Sequence, residues 1–388
     1  MPGHIYAHRN FVLDWHRQER RRLDFEIGEC DKKRRVNHPS VRLRAMRNSI
    51  LLCLLLSAVC VGIFSIHRDV FAADSGNHES PVLLVANQGD RTLSVIDPVS
   101  NKQVAAVPEG GITGHEVSAS PDGRTAYIPI YGDSGVGKPG TDGRNMVVID
   151  IPSRKVIGSL DFGHAVRPHC IVYDPKSRML YITTELDQSV TIVDPRTLKV
   201  VGFIPTTQPE SHMLAVSHDG RRGYTANVGP GTISVLDMAA RKTIAVIHIS
   251  GSTQRISISN DDSMAFTVDQ EKPQLAVVDT SSNKIKSWVA LPAVGYGTTP
   301  TRDGRWLLVA MQSIGKIGVV DLGTLKVVRT IDVPRGPSEI LMHPDGQVAY
   351  VSCPASHQVA VIDLSKWKVT ALIEAGKGAD GLAWAGAL

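Results

Sequence analysis

Residues 192–199 read Ile192-Val193-Asp194-Pro195-Arg196-Thr197-Leu198-Lys199, and the fold follows from this octet. Two apolar residues end a strand, and Asp194 and Pro195 open a type I turn, the aspartate accepting from backbone N–H groups and the proline fixing φ at the second position. Lys199 then begins the returning strand. The same ending stands at Val95-Ile96-Asp97, Val148-Ile149-Asp150, Val235-Leu236-Asp237, Val277-Val278-Asp279, Val319-Val320-Asp321 and Val361-Ile362-Asp363. Five residues after each aspartate comes a lysine: Lys102, Lys155, Lys199, Lys242, Lys284, Lys326 and Lys368. The aspartates are spaced 53, 44, 43, 42, 42 and 42 residues apart. A period near 42 made of short strands implies an all-β propeller of seven blades, one four-stranded antiparallel sheet per repeat.

Two consequences follow for the acidic residues and the termini. The repeated aspartates are turn residues rather than a row of catalytic carboxylates, and the Asp-Gly pairs at 122–123, 219–220, 303–304 and 345–346 mark the tight hairpin earlier in each repeat. Pro81 to Val107 supplies three strands only, whereas Gly378-Ala379-Asp380-Gly381-Leu382-Ala383-Trp384 reads as a first strand without successors. The C-terminal strand is therefore expected to join the N-terminal three and close the ring, which leaves no open sheet edge at the seam.

Upstream of the repeats the composition changes. Residues 1–45 hold eleven of the 42 basic and six of the 38 acidic residues, so the rest carries 31 against 32. The near-neutral body lacks the basic face that nucleic-acid binding requires, and no nucleic-acid partner is expected. Residues 1–45 have no apolar periodicity and read as a disordered basic extension or a start codon assigned too early. Residues 46–72 have the order of a secretory signal, with an apolar run from Ile50 to Ile66 and small residues at Ala72-Ala73. Cleavage after Ala72 would release residues 73–388 as a periplasmic or secreted propeller, with membrane contact only through an uncleaved signal. Cys170 and Cys353 are the two cysteines of the exported part; both fall in strand patterns and imply buried small hydrophobes rather than a disulfide framework.

The strands Tyr181-Ile182-Thr183-Thr184, Tyr224-Thr225-Ala226-Asn227 and Tyr350-Val351-Ser352-Cys353, with Pro121-Asp122-Gly123 and Pro344-Asp345-Gly346 ahead of two such strands, resemble the YVTN-repeat (YncE-like) β-propeller family over roughly residues 80–388. The resemblance implies the seven-bladed fold. Its members include periplasmic binding proteins, surface-layer domains, lactonases and redox-associated propellers, so the fold alone selects no activity.

In an up-and-down blade the Asp-Gly hairpins and the Asp-to-Lys turns share one rim, and the remaining loops share the other. Aligning the repeats places His115, His169, His212, Gln254, Tyr296, Ser338 and Asp380 at one register position, where the innermost strand begins beside the central channel. Neutral imidazole is a common divalent-metal ligand, and three histidines with an open position make a catalytic zinc site. His115, His169 and His212 are accordingly the candidate metal ligands, with Glu116 and Glu210 as candidate acid/base groups. His164 and Arg167 are candidates for anchoring a ligand, and the second-strand ends add Asn87, Asn227 and Asp269 to the same rim. Gln254, Tyr296 and Asp380 complete the ligand-binding set.

The first full repeat is about ten residues longer than the others, all of it in Tyr131 to Asn145. Gly135-Val136-Gly137-Lys138-Pro139 lacks the upstream glycine spacing and the hydroxyl after lysine of a phosphate loop, so the insertion is read as a lid or docking loop. Three functional readings compete. The first is an exported module binding a small molecule, glycan or protein partner at the channel rim, expected to be monomeric. The second is a metal-dependent hydrolase or lyase of lactonase type, which would need a divalent ion. The third is a redox-associated propeller.

Overall fold

The computed structural model describes residues 80–133 and 135–386. The basic extension and the signal segment read from the sequence lie outside these residues. Among the described residues, twenty-eight strands in chain order form seven four-stranded antiparallel sheets arranged as a seven-bladed β-propeller. Blade 1 consists of β1 (Val82–Asn87), β2 (Thr92–Asp97) and β3 (Lys102–Pro108), completed by the C-terminal strand β28 (Ala379–Ala385). β28 pairs with β1 through Val82–Ala385, Leu83–Trp384 and Leu84–Ala383, so the ring closes as the partial first and last repeats require. Blades 2 to 7 each use four consecutive strands, and their innermost strands are β4 (Ser118–Ala119), β8 (Pro168–Asp174), β12 (Ser211–Val216), β16 (Ile256–Ile258), β20 (Thr298–Pro300) and β24 (Ile340–Met342).

The turn chemistry is the same in every blade. Each of the seven aspartates accepts a backbone N–H two or three residues on, from Val99, Ser153, Arg196, Ala240, Ser282, Gly323 and Ser365. The residue before each lysine (Asn101, Arg154, Leu198, Arg241, Asn283, Leu325 and Trp367) has φ between 49° and 59°. This left-handed residue turns the chain into the outermost strand, and a bulge follows at one position in each third-to-fourth strand pair. The glycines of the four Asp-Gly pairs have φ of 68–74°, a region in which only glycine is unstrained.

The hydrophobic core lies between sheets rather than at one centre. Tyr127, Met146 and Val148 of blade 2 pack with Ile171, Leu180 and Ile182 of blade 3, for example. Each fully buried aliphatic side chain of this kind contributes roughly 1.5–3 kcal/mol. Cys170 and Cys353 are free and buried within strands. Among the described residues no helix is long and apolar enough to cross a membrane.

Candidate functional site: a histidine rim above a plugged channel

The residues that open the innermost strands form two stacked tiers. In the upper tier His115, His169 and His212 come from blades 2, 3 and 4. The rings of His169 and His212 stack with centroids 3.5 Å apart and planes 30° apart, and His115 meets His169 edge-on at 5.3 Å. Gln254 of blade 5 continues the circle, its amide donating to His212 Nε2 at 3.2 Å. On the far side Ser338 of blade 7 donates to Asp380 of blade 1 at 2.7 Å.

A hydrogen-bonded chain fixes His212. Its Nδ1 is bonded to one carboxylate oxygen of Glu185, and the Tyr131 hydroxyl donates to the other at 2.8 Å. With Nδ1–H donated to a carboxylate, Nε2 carries the lone pair that accepts the Gln254 amide. Tyr131, His169, His212 and Glu185 are all buried. Burial, with smaller contributions from neighbouring charges, lowers the pKa of His115 to about 4 and that of His169 well below the ordinary range. Both rings are therefore neutral at pH 7.

This geometry corrects the expectation of a three-histidine metal site. Both ring nitrogens of His212 are engaged by Glu185 and Gln254. Among the described residues no group of three or more His, Cys, Asp or Glu side chains has the placement to hold a metal ion. The trio is a packed aromatic cluster with Tyr131, whose ring centroid lies 4.8, 5.1 and 5.9 Å from those of His115, His169 and His212.

One residue lower, the same strands carry Glu116, Cys170, Met213, Arg255, Gly297, Glu339 and Gly381. Arg255 of blade 5 reaches across the axis to Glu116 of blade 2 at 2.9 Å and Asp380 of blade 1 at 3.2 Å, with Glu339 of blade 7 at 3.8 Å. Its guanidinium also lies 5.3 Å from the Tyr296 ring centroid. Burial opposes the charge of Arg255, but Glu116 and Asp380 outweigh it and hold the guanidinium charged. Three carboxyls around one cation leave a surplus of negative charge, and burial pushes the Glu116 and Glu339 carboxyls above their ordinary range. Glu116 is thus tied up as part of a plug and is not free to serve as an acid or base at the rim. Below the plug lies a channel cavity of about 340 Å³ walled by residues such as Ile171, Leu214, Ile256 and Ile340.

The long insertion crosses the rim above the histidines. Arg167, buried, bonds Asp142 at 2.5 Å and the Lys138 carbonyl at 2.6 Å, while the backbone N–H groups of Val166 and Arg167 both donate to the Gly143 carbonyl. The tip reaches blade 4, where a Cβ on Gly137 would come within 2.7 Å of the Glu210 carboxylate and one on Gly229 within 2.6 Å. Arg167 thus seats the lid, and Glu210 lies against its tip.

The remaining candidates separate. Asn87 donates to Thr92 and Ser94 and accepts from Gly376 N–H. Asn227 bonds Ser211, Thr232 and Ser234, and Asp269 accepts from Glu271, Lys272 and Gln274. All three are buried and bond the ends of neighbouring strands. His164 lies away from the trio, in an outer groove with Phe162 and Phe203, and pairs with Asp187 at 2.8 Å.

His115 differs from its two partners. It is half-buried, and among the described residues its ring nitrogens have no hydrogen-bond partner. It faces a cavity of about 560 Å³ between blades 1 and 2, which Gln88, Arg91 and Thr113 line on one side and Gly132, Asp133 and Gly135 of the lid on the other. Arg255, Glu185 and Tyr131 were not singled out by sequence reasoning. Arg255 stands one residue beyond the aligned candidate Gln254 and Glu185 follows the second strand of blade 3, and a scan of the adjacent register column would have set Arg255 and Glu339 beside Glu116 as charges among apolar and glycine equivalents.

No model of a protein family matches the sequence, and neither does any curated protein. Solved structures do match in fold. A functionally unknown protein from Desulfotomaculum acetoxidans superposes with a TM-score of 0.66 at 14% identity, covering 79% of this chain and 99% of the other. The periplasmic gluconolactonase of Pseudomonas aeruginosa gives 0.62 at 17% identity, with 79% and 99% covered. Kuenenia stuttgartiensis hydrazine synthase gives 0.58 at 17% identity, with 71% and 90% covered. At these identities the likeness is one of fold: the chain is a seven-bladed β-propeller similar in architecture to proteins of different activities.

Proposed function

We propose that this protein is an exported binding module that takes a small hydroxyl-bearing molecule into the cavity between blades 1 and 2, beneath the lid. The observation that carries this reading is His115, a neutral imidazole whose two ring nitrogens are unused and which faces that cavity. A neutral ring offers one donor and one acceptor, the pairing a hydroxyl group needs. Arg91 and Asp133 bring opposite charges to the same lining, which suits a polar molecule of no large net charge. The axis itself is less suited to such a ligand, because the Arg255 cluster occupies its head. The metal-dependent lactonase reading loses its support with the metal site, although a gluconolactonase shares the fold. Export rests on the signal-like segment at 46–72, and a mature N-terminus at Ala73 by mass spectrometry is the expected outcome.

The test is calorimetric titration of the purified protein with gluconate, glucose and glucono-lactone. Saturable binding that His115→Ala weakens about tenfold, equivalent to ~1.4 kcal/mol, is expected for at least one of them. Absence of binding by all three, or binding indifferent to His115→Ala, overturns the reading.

A further inference from the structure

The opposite rim carries a cleft that the repeat does not call for. The first residue of the second strand in blades 1 to 7 is Val82, Thr125, Met179, Arg222, Met264, Trp306 and Val348. The left-handed turn residue is Asn101, Arg154, Leu198, Arg241, Asn283, Leu325 and Trp367. Where blade 6 meets blade 7, both positions are tryptophan, and the two rings meet edge-to-face at 5.6 Å. The other blades show that the fold accepts Met at the first position and Asn at the second, so neither tryptophan is required for the turn or the strand.

Each indole carries an arginine. The guanidinium of Arg305 lies 4.6 Å from the Trp306 ring centroid and that of Arg329 5.0 Å from the Trp367 centroid. A guanidinium stacked on an aromatic face keeps its N–H edge outward and loses side-chain freedom before any ligand arrives. Among the described residues, Arg302, Arg305 and Arg329 make no ion pair within 4 Å, although aspartates stand nearby. Asp303 is occupied by the Thr301 hydroxyl and the Arg305 N–H, and Asp345 by Gln347 N–H and His343. The tryptophans, Arg302 and Arg305 line a cleft of about 450 Å³ that also exposes Gln347 and Ser365.

The geometry points to a second binding site here, for an acidic oligosaccharide whose carboxylates meet Arg302 and the stacked Arg305. Planar donor forks match carboxylate geometry, and the indoles supply apolar surface for a sugar ring. Asp303 and Asp345 in the same cleft repel a densely charged polyanion such as nucleic acid or an anionic membrane, but their Oδ2 atoms, outside the turn contacts made by Oδ1, can accept hydroxyl donors from a saccharide in which acid groups alternate with hydroxyls. The site stands on the hairpin rim and is independent of the cavity beside His115.

Titration of the purified protein with tetragalacturonate, its neutral methyl ester and a tetra-aspartate peptide, followed by calorimetry and tryptophan fluorescence, tests this. Tetragalacturonate is expected to bind and to perturb the fluorescence, with Trp306→Met, Trp367→Asn and Arg305→Gln each weakening it at least tenfold. The first two substitutions introduce residues that other blades use at these positions; both indoles also pack against the core between blades 6 and 7, so Arg305→Gln, which leaves that packing intact, and melting well above the assay temperature keep the test independent of folding. No binding of tetragalacturonate, binding indifferent to these substitutions, or equal binding of the ester or the peptide overturns the proposal.

Discussion

The two rims of the propeller are made from the same seven repeats, yet they handle charge in opposite ways. On the hairpin rim each turn aspartate is bonded to its own turn and lowered in pKa, as Asp279 is to about 2 by the Ser281 hydroxyl and the turn's N–H groups. On the other rim the charges are buried and shared between blades. Arg255 is held by carboxyls from three other blades, and Glu185 ties blade 3 to Tyr131 of blade 2 and His212 of blade 4. Local charge makes a turn, whereas shared charge makes the ring depend on its own closure.

Arg255 gives the largest expected effect. Arg255→Leu leaves Glu116, Glu339 and Asp380 facing one another without a cation, which should lower unfolding free energy by about 3–5 kcal/mol. Urea unfolding measures this, and adding Glu116→Gln to the same chain should recover part of the loss by removing a charge. A single variant as stable as the parent would show that the carboxyls are already neutral and that Arg255 is incidental to closure. If Arg255→Leu does not accumulate, Arg255→Lys, which keeps the charge without the fork, should be intermediate.

Glu109 sharpens the comparison through pH. It is buried between the end of β3 and the loop that leads to His115, accepts the Gly114 N–H at 2.9 Å, and leaves its other oxygen without a partner among the described residues. Burial raises its pKa to about 7. Below pH ~4 both folded and unfolded chains hold the proton. Between that point and about pH 7 the unfolded chain releases it while the folded chain keeps it, so stability falls as pH rises through this window and levels off above it. The loss is on the order of 2–4 kcal/mol, and Glu109→Gln should flatten the profile between pH 5 and 8. The turn aspartates run the other way: with folded pKa values lowered, their contribution is present above the usual carboxylate range and is lost on acidification.

The same contrast explains what could be read from the sequence. The turn octet is a local device, so its seven copies disclosed the blade count; the partial first and last repeats disclosed the ring closure, and alignment of the repeats the register that gathers His115, His169 and His212. What those side chains do once gathered depends on neighbours from other blades. Nothing near His212 in sequence announces that Glu185 and Gln254 occupy both ring nitrogens, and nothing near Arg255 announces Glu116, 139 residues away. Asn87, Asn227 and Asp269, which align as a ring of polar residues, bond the strand ends beside them, and Asn87 also accepts the Gly376 N–H across the ring closure.

The lid tests the contrast with a smaller effect. Arg167 seats the insertion through Asp142 and the Lys138 carbonyl, so Arg167→Ala should free the loop over His115 without touching the blade cores. Ligand affinity at the rim should fall about three- to tenfold, or ~0.7–1.4 kcal/mol, mainly through faster dissociation. Protease cleavage within 133–143 should become faster, while the acidic saccharide on the hairpin rim binds as before.

The smallest effect belongs to a single turn. Asp279→Asn keeps an acceptor for the Ser282 N–H, at 2.8 Å in the parent, and removes only the charge. Because that aspartate bonds only its own turn, the cost should stay within blade 5, with a slight fall in melting temperature and no change at either binding site. The charge-linked loss of stability on acidification should shrink at the same time, since the lowered pKa is the source of that term. A change in rim binding after Asp279→Asn would mean that the hairpin turns and the buried cluster communicate through the blade, and the division between local and shared charge would then fail at its simplest point.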